Sequence, residues 1–265
     1  MKHLVLTLAI ALMGTFGLCA AEAATDSIAY LKQIKTFVKT DAKAGLAKLE
    51  ATKADVIASK NLNMQARWGI AKTLFETAGD TTSTFAQLLD KLAVNYKAVG
   101  VNPKTWQANQ YASMLINPDY VVTIPEQRMK DGIAYLKTCE GVDYHLGQVF
   151  EKTGRVDEAI EVYKNSKDWG CMSRYILLQS KKDKAVAYAQ WMEFGIQGRL
   201  FPDLANREVT KVLNFYLADP KTDRAALKQK LSTMIIIYSN KMTSDKAKAD
   251  WNNFVAVLKN TVSLL

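Results

Sequence analysis

The chain has 265 residues, 49% of them hydrophobic and 23% charged, with 13 Gly, 5 Pro, 3 Cys and 2 His. That balance excludes disordered, collagen-like and disulfide-dense classes, and so few Gly and Pro disfavour a turn-rich all-β protein. The formal net charge of +9 bears on partners, not on fold.

Met1-Lys2-His3 is a short basic start, followed by an uncharged, mostly apolar stretch to Leu18 and then by small residues. Ala21-Glu22-Ala23 fits the small-x-small pattern of a signal-peptidase site, so residues 1–23 are expected to be a removed signal peptide. Cleavage after Ala21 or Ala24 is nearly as good. Residues 4–21 reach the lower edge of a membrane-spanning helix, although Gly14, Thr15 and Gly17 weaken that reading. Lipidation of Cys19 is opposed by the bulky Leu18 before it. The expectation is export to the periplasm or outside the cell, in a bacterium, with residues 24–265 forming a single all-α domain.

Helical periodicity dominates the remainder. Residues 26–39 place Ile28, Leu31, Ile34 and Val38 on one stripe. Residues 64–76 and 83–99 repeat the pattern, the second through Phe85, Leu88, Leu89, Leu92 and Tyr96. Asn102-Pro103 opens another candidate helix, and Thr123-Ile124-Pro125-Glu126 reads as a capping-box start. Further helices are expected at 142–153, 156–166, 171–180, 183–194, 204–217, 224–238 and 244–264, punctuated by Gly79, Gly154, Gly195 and Pro220. Short joins between amphipathic helices imply antiparallel neighbours.

Residues 142–164 carry Leu146-Gly147, Phe150, Gly154, Ala159 and Tyr163, a spacing that resembles a tetratricopeptide repeat. Gly147 and Ala159 are small where two helices would cross, and Leu146, Phe150 and Tyr163 would fill the space around them. The pattern departs where the family's Trp is replaced by Asp143 and its closing Pro is missing. Trp68, Phe75, Gly79 and Leu88 echo it more loosely, with Thr84 in the place of the small residue. The clearest repeat-like region is 131–195. The resemblance implies antiparallel hairpins stacked as a right-handed solenoid or an irregular helical array, since one unit alone cannot bury its apolar face. Cys139 and Cys171 are an even pair in an exported chain, 32 residues apart, and a disulfide between them would staple adjacent repeats. Two buried thiols are the alternative.

Little catalytic chemistry is legible. After export His145 is the only histidine, so a multi-histidine metal site cannot be built, and no cofactor is expected. Cys139 and His145 do not share a helix face. Glycine-rich phosphate loops, GxSxG elbows and dense calcium loops are absent from the sequence. Glu151, Asp157, Glu158 and Glu161 are the loose carboxylates a glycosidase would need, but in a repeat unit such residues solvate the helix surface. Basic residues outnumber acidic ones 14 to 9 over 24–130 and 10 to 6 over 201–265, with the middle neutral. They are mostly scattered lysines, unlike a nucleic-acid surface. Tetratricopeptide-like arrays bind peptides or proteins along the inner face of their first helices. The resemblance therefore implies Tyr144, Gln148, Glu151 and Lys152, with Arg174 from the next pair, as binding residues of a non-enzymatic scaffold. Weak attraction of the basic flanks to an anionic envelope polymer or a membrane surface is the alternative, and an α-helical carbohydrate-active enzyme comes third.

Overall fold

A stretch that is apolar nearly all round has to be enclosed by others, and Met64, Ala66, Trp68, Ile70, Ala71, Leu74 and Phe75 are all buried in one helix, α3 (Leu62–Glu76). A computed structural model describes residues 42–265; the expected signal peptide and the helix expected at 26–39 lie outside the described residues. Those residues form thirteen α-helices and one 3-10 turn, with no strand among them. The protein is all-α. It divides into two units, with the division between Ala159 and Ile160.

In the first unit α1 (Ala42–Ala51), α2 (Lys53–Ala58), α4 (Phe85–Lys97), α5 (Trp106–Ala112) and the 3-10 turn η1 (Ser113–Ile116) all pack on α3. The helix α6 (Glu126–Leu136) lies against α4 and η1, and α7 (Asp143–Lys152) against η1. Three polar side chains inside this core are paired, as burial favours. Trp68 Nε1 donates to the Leu49 carbonyl at 2.9 Å, Asn95 Nδ2 to Thr73 Oγ1 at 3.0 Å, and Tyr96 Oη to the Ala108 carbonyl at 2.7 Å. The close approach of α3 and α4 depends on Gly69, where an added Cβ would stand 2.5 Å from Tyr96 Cδ1.

Three helix starts differ from expectation. Thr84 is not a crossing residue of a repeat; it caps α4 in a capping box with Gln87. The box expected at Thr123 does not form, because α6 begins at Glu126 behind Pro125, whose side chain has nothing to offer the backbone. Asn102-Pro103 likewise begins a turn, and Thr105 caps the helix that follows.

The helix α8 (Val156–Asn165) contains the division. In the second unit α9 (Trp169–Lys182) and α10 (Lys184–Ile196) pack as a hairpin, and α11 (Pro202–Ala218), α12 (Arg224–Asn240) and α13 (Asp245–Leu264) complete it. α9 and α10 are joined by Asp183 alone, whose carboxylate accepts from the N–H groups of Ala185 and Val186. The core is aromatic. Tyr238 lies 4.6 Å from Trp251 and 5.1 Å from Phe254 between ring centroids, and Trp191 stands edge-on to Phe254 at 6.0 Å.

Three helices end in the same device. Val101, Arg155 and Arg199 each donate a backbone N–H to the carbonyl of the aromatic residue five positions earlier, Tyr96, Phe150 and Phe194. A glycine of positive φ stands just before each donor, at 100, 154 and 198. This is the Schellman ending, which satisfies the last carbonyls through a left-handed residue. Gly195 is not the punctuating glycine; it sits within α10 against Met234.

Candidate functional site

The stripe Tyr144, Gln148, Glu151 and Lys152 lies on α7 as its spacing requires. The first three are half-buried and Lys152 is exposed. Packing uses part of this face. Lys152 pairs with Asp119 in the turn after η1, and Tyr144 stands edge-on to His145, 5.7 Å between centroids. His145 in turn meets Tyr111 of α5 at 6.3 Å. His145 is thus half-buried between two tyrosine rings.

Behind these rings stands Arg67, which sequence reasoning passed over. Its guanidinium carbon lies 5.2 Å from the centroid of Tyr111. Its Nε and Nη1 are buried without a hydrogen-bond partner. The signal available in the sequence was an arginine between Ala66 and Trp68, in a helix otherwise buried on nearly every side. Tyr120 is also close enough to feel this charge. Burial pushes its phenol above the ordinary range, Asp119 adds to that, and Arg67 opposes it.

A small cavity of about 180 Å³ adjoins Tyr120 and is lined by Leu74, Asp80, Thr123 and Arg128 among others. Arg128, only 3% exposed, is fully employed. Nε donates to the Ser83 carbonyl at 2.8 Å, and both terminal nitrogens donate to the Asp80 carbonyl at 3.2 Å. The Asp80 carboxylate accepts from Thr82 and Ser83, which holds its carboxyl far below the usual range. Arg128 fastens the 80–83 loop to α6, and the Asp80 carboxylate braces the loop from within.

The remaining expected residues lie elsewhere. Arg174 is half-buried on α9 in the second unit. Its neighbour Tyr175 is buried against Phe194, and that burial raises its phenol. In the structure Cys139 and Cys171 are both thiols. Cys139 Sγ faces the Tyr135 carbonyl of its own chain segment at 3.5 Å, and Cys171 is wholly buried near the start of α9. Of the loose carboxylates, Glu158 is gripped by Arg155, Nε to Oε1 at 2.5 Å and Nη2 to Oε2 at 2.6 Å. That grip lowers its carboxyl, the opposite of what a general acid requires. Glu161 accepts from the Asn165 side chain at 2.8 Å. Asp157 is exposed.

Among the described residues, no group of three His, Cys, Asp or Glu side chains could hold a metal ion, and no helix is long and apolar enough to cross a membrane. In the second unit two partly exposed rings, Trp169 and Phe201, stand 6.4 Å apart. No protein-family signature, no curated protein and no solved structure matches the chain.

Proposed function

We propose that this is an exported, non-enzymatic helical-repeat protein that binds another protein or a peptide in the cell envelope. The observation that carries the reading is the polar-aromatic surface of α7, where Tyr144, Gln148 and Glu151 are half-buried along one stripe. Half-buried Tyr is well suited to anchor a partner, giving contact area at low entropic cost. The burial of Leu146, Phe150, Ala159 and Tyr163 agrees with the packing role the repeat resemblance assigns them. Glu158, held by Arg155, speaks against a glycosidase acid at that position.

The test is an affinity pull-down from envelope extract at low and high salt. A discrete protein retained at high salt, and lost when Tyr144, Gln148 and Glu151 are replaced together, is the expected result. A second reading is favoured by the exposed lysines of α12 and α13, Lys228, Lys230, Lys246, Lys248 and Lys259. It assigns binding to an anionic polymer or lipid surface. Recovery of such material alone, vanishing as salt screens the charge, would move the function there.

A further inference from the structure

The two internal arginines of the first unit are treated differently. Arg128 spends its fork on backbone carbonyls, whereas Nε and Nη1 of Arg67 are buried with no partner. An unpaired buried donor costs free energy, more so on a charged group. A guanidinium cannot escape by losing its proton. Arg67 as a residue is half-buried, so part of it remains open to solvent. Its neighbours are rings, with Tyr111 beneath it at 5.2 Å and then His145 and Tyr144 in file. Lys152, on the same helix as Tyr144 and His145, is engaged by Asp119.

We propose that Arg67 anchors a carboxylate-binding site. A planar carboxylate accepts two parallel N–H bonds along the Nε–Nη2 edge, as the Glu158 carboxylate does from Arg155, and the body of the ligand lies against the aromatic file. One fixed fork matches a singly charged planar acid, and rings in place of further cations suit a carboxylate better than a doubly charged phosphate. The acid is either a small organic carboxylate or the C-terminus of a peptide. The guanidinium lies on α3 and shares only Tyr144 with the α7 stripe, so the Arg67 signal reads acid binding directly and failure of the pull-down leaves this proposal standing.

The experiment follows the Arg67 Nε–H signal by NMR, assigned by its loss in Arg67→Lys, during titration of the purified protein at constant ionic strength. The probes are benzoate, its neutral counterpart benzamide, inorganic phosphate, and N-acetyl-phenylalanine with its amide. Saturable shifts with benzoate or N-acetyl-phenylalanine at Kd of about 1 mM or tighter, at least about tenfold weaker with the amides and with phosphate, are expected. Whichever acid binds more tightly identifies the source, N-acetyl-phenylalanine for a peptide end and benzoate for a small acid. Equal response to benzoate and benzamide, tighter binding of phosphate, or no saturable shift with either acid overturns the proposal; in the last case water satisfies the fork. Arg67→Met should abolish acid binding, and the wild-type signal decides the matter if that variant does not fold.

Discussion

The guanidinium carbon of Arg155 lies 4.6 Å from the ring centroid of Phe150, at the same helix end where the Arg155 backbone N–H donates to the Phe150 carbonyl. Arg199 repeats the arrangement over Phe194 at 4.9 Å. Backbone and side chain of one residue thus close both the hydrogen-bond ladder and the apolar face of the last turn. The glycine between them permits it, since its left-handed φ disfavours any residue with a Cβ.

Gly154→Ala should therefore cost about 1 kcal/mol, all of it from the backbone, because nothing lies within 4 Å of the added methyl. Gly198→Ala should cost more, since its methyl would also meet Ile237 Cγ2 at 3.1 Å. Urea unfolding of the two variants checks the order.

Gly69→Ala tests close packing without any left-handed backbone. The methyl would press on Tyr96, which is buried and tied by its hydroxyl to Ala108, so a loss of about 1–3 kcal/mol is expected. Gly195→Ala meets the flexible tip of Met234 instead, at 2.4 Å from Cε. A thioether can move aside. The smaller loss should be seen at Gly195 in chemical denaturation.

Asp183→Ala removes two bonds to the start of α10 at once. A loss of about 1 kcal/mol follows, and Asp183→Asn should recover most of it because the amide oxygen can accept the same bonds. Thermal unfolding followed by circular dichroism distinguishes the two.

Stability should fall in strong alkali. Burial pushes the Tyr238 phenol up to about 12, against a bond from the Leu200 N–H that works the other way. The unfolded chain loses this proton near the ordinary 10.0 while the folded chain keeps it, so the contribution is complete below that pH and disappears as pH rises toward 12. Burial also raises Tyr135 to about 12. Urea midpoints measured across this range should decline, and less steeply in Tyr238→Phe.

Thiol accessibility should differ between the two cysteines. With Cys19 absent, a thiol reagent should modify half-buried Cys139 in the folded protein and wholly buried Cys171 only after unfolding. Two reactive groups in the unfolded, non-reduced protein are expected. None would show instead that the exported chain forms the cross-link suggested by the 32-residue spacing.

Periodicity carried the fold class. Leu88, Leu92 and Tyr96 lie buried on one face of α4, as their spacing predicts. Local capping chemistry was harder to read, because Thr84 and Thr123 both stand three residues before Glu or Gln, and only tertiary placement decides which one turns inward to its helix. The recurring Phe-x-x-x-Gly-Arg at 150–155 and 194–199 was present in the sequence, but its meaning depends on a backbone angle that sequence does not display. Arg67 was illegible for a different reason. A charged residue within an apolar helix is ordinarily taken to point outward, and only the positions of Tyr111 and Tyr120, far along the chain, turn it into a feature.

Asp183 has one more implication, for handling the protein. A joint of one residue that ends one helix and begins the next has no slack, so an epitope tag or fluorophore inserted there would unravel both neighbours. The 219–223 connection between α11 and α12 has exposed, polar residues at Asp219, Lys221 and Asp223. It is the place to put such a label.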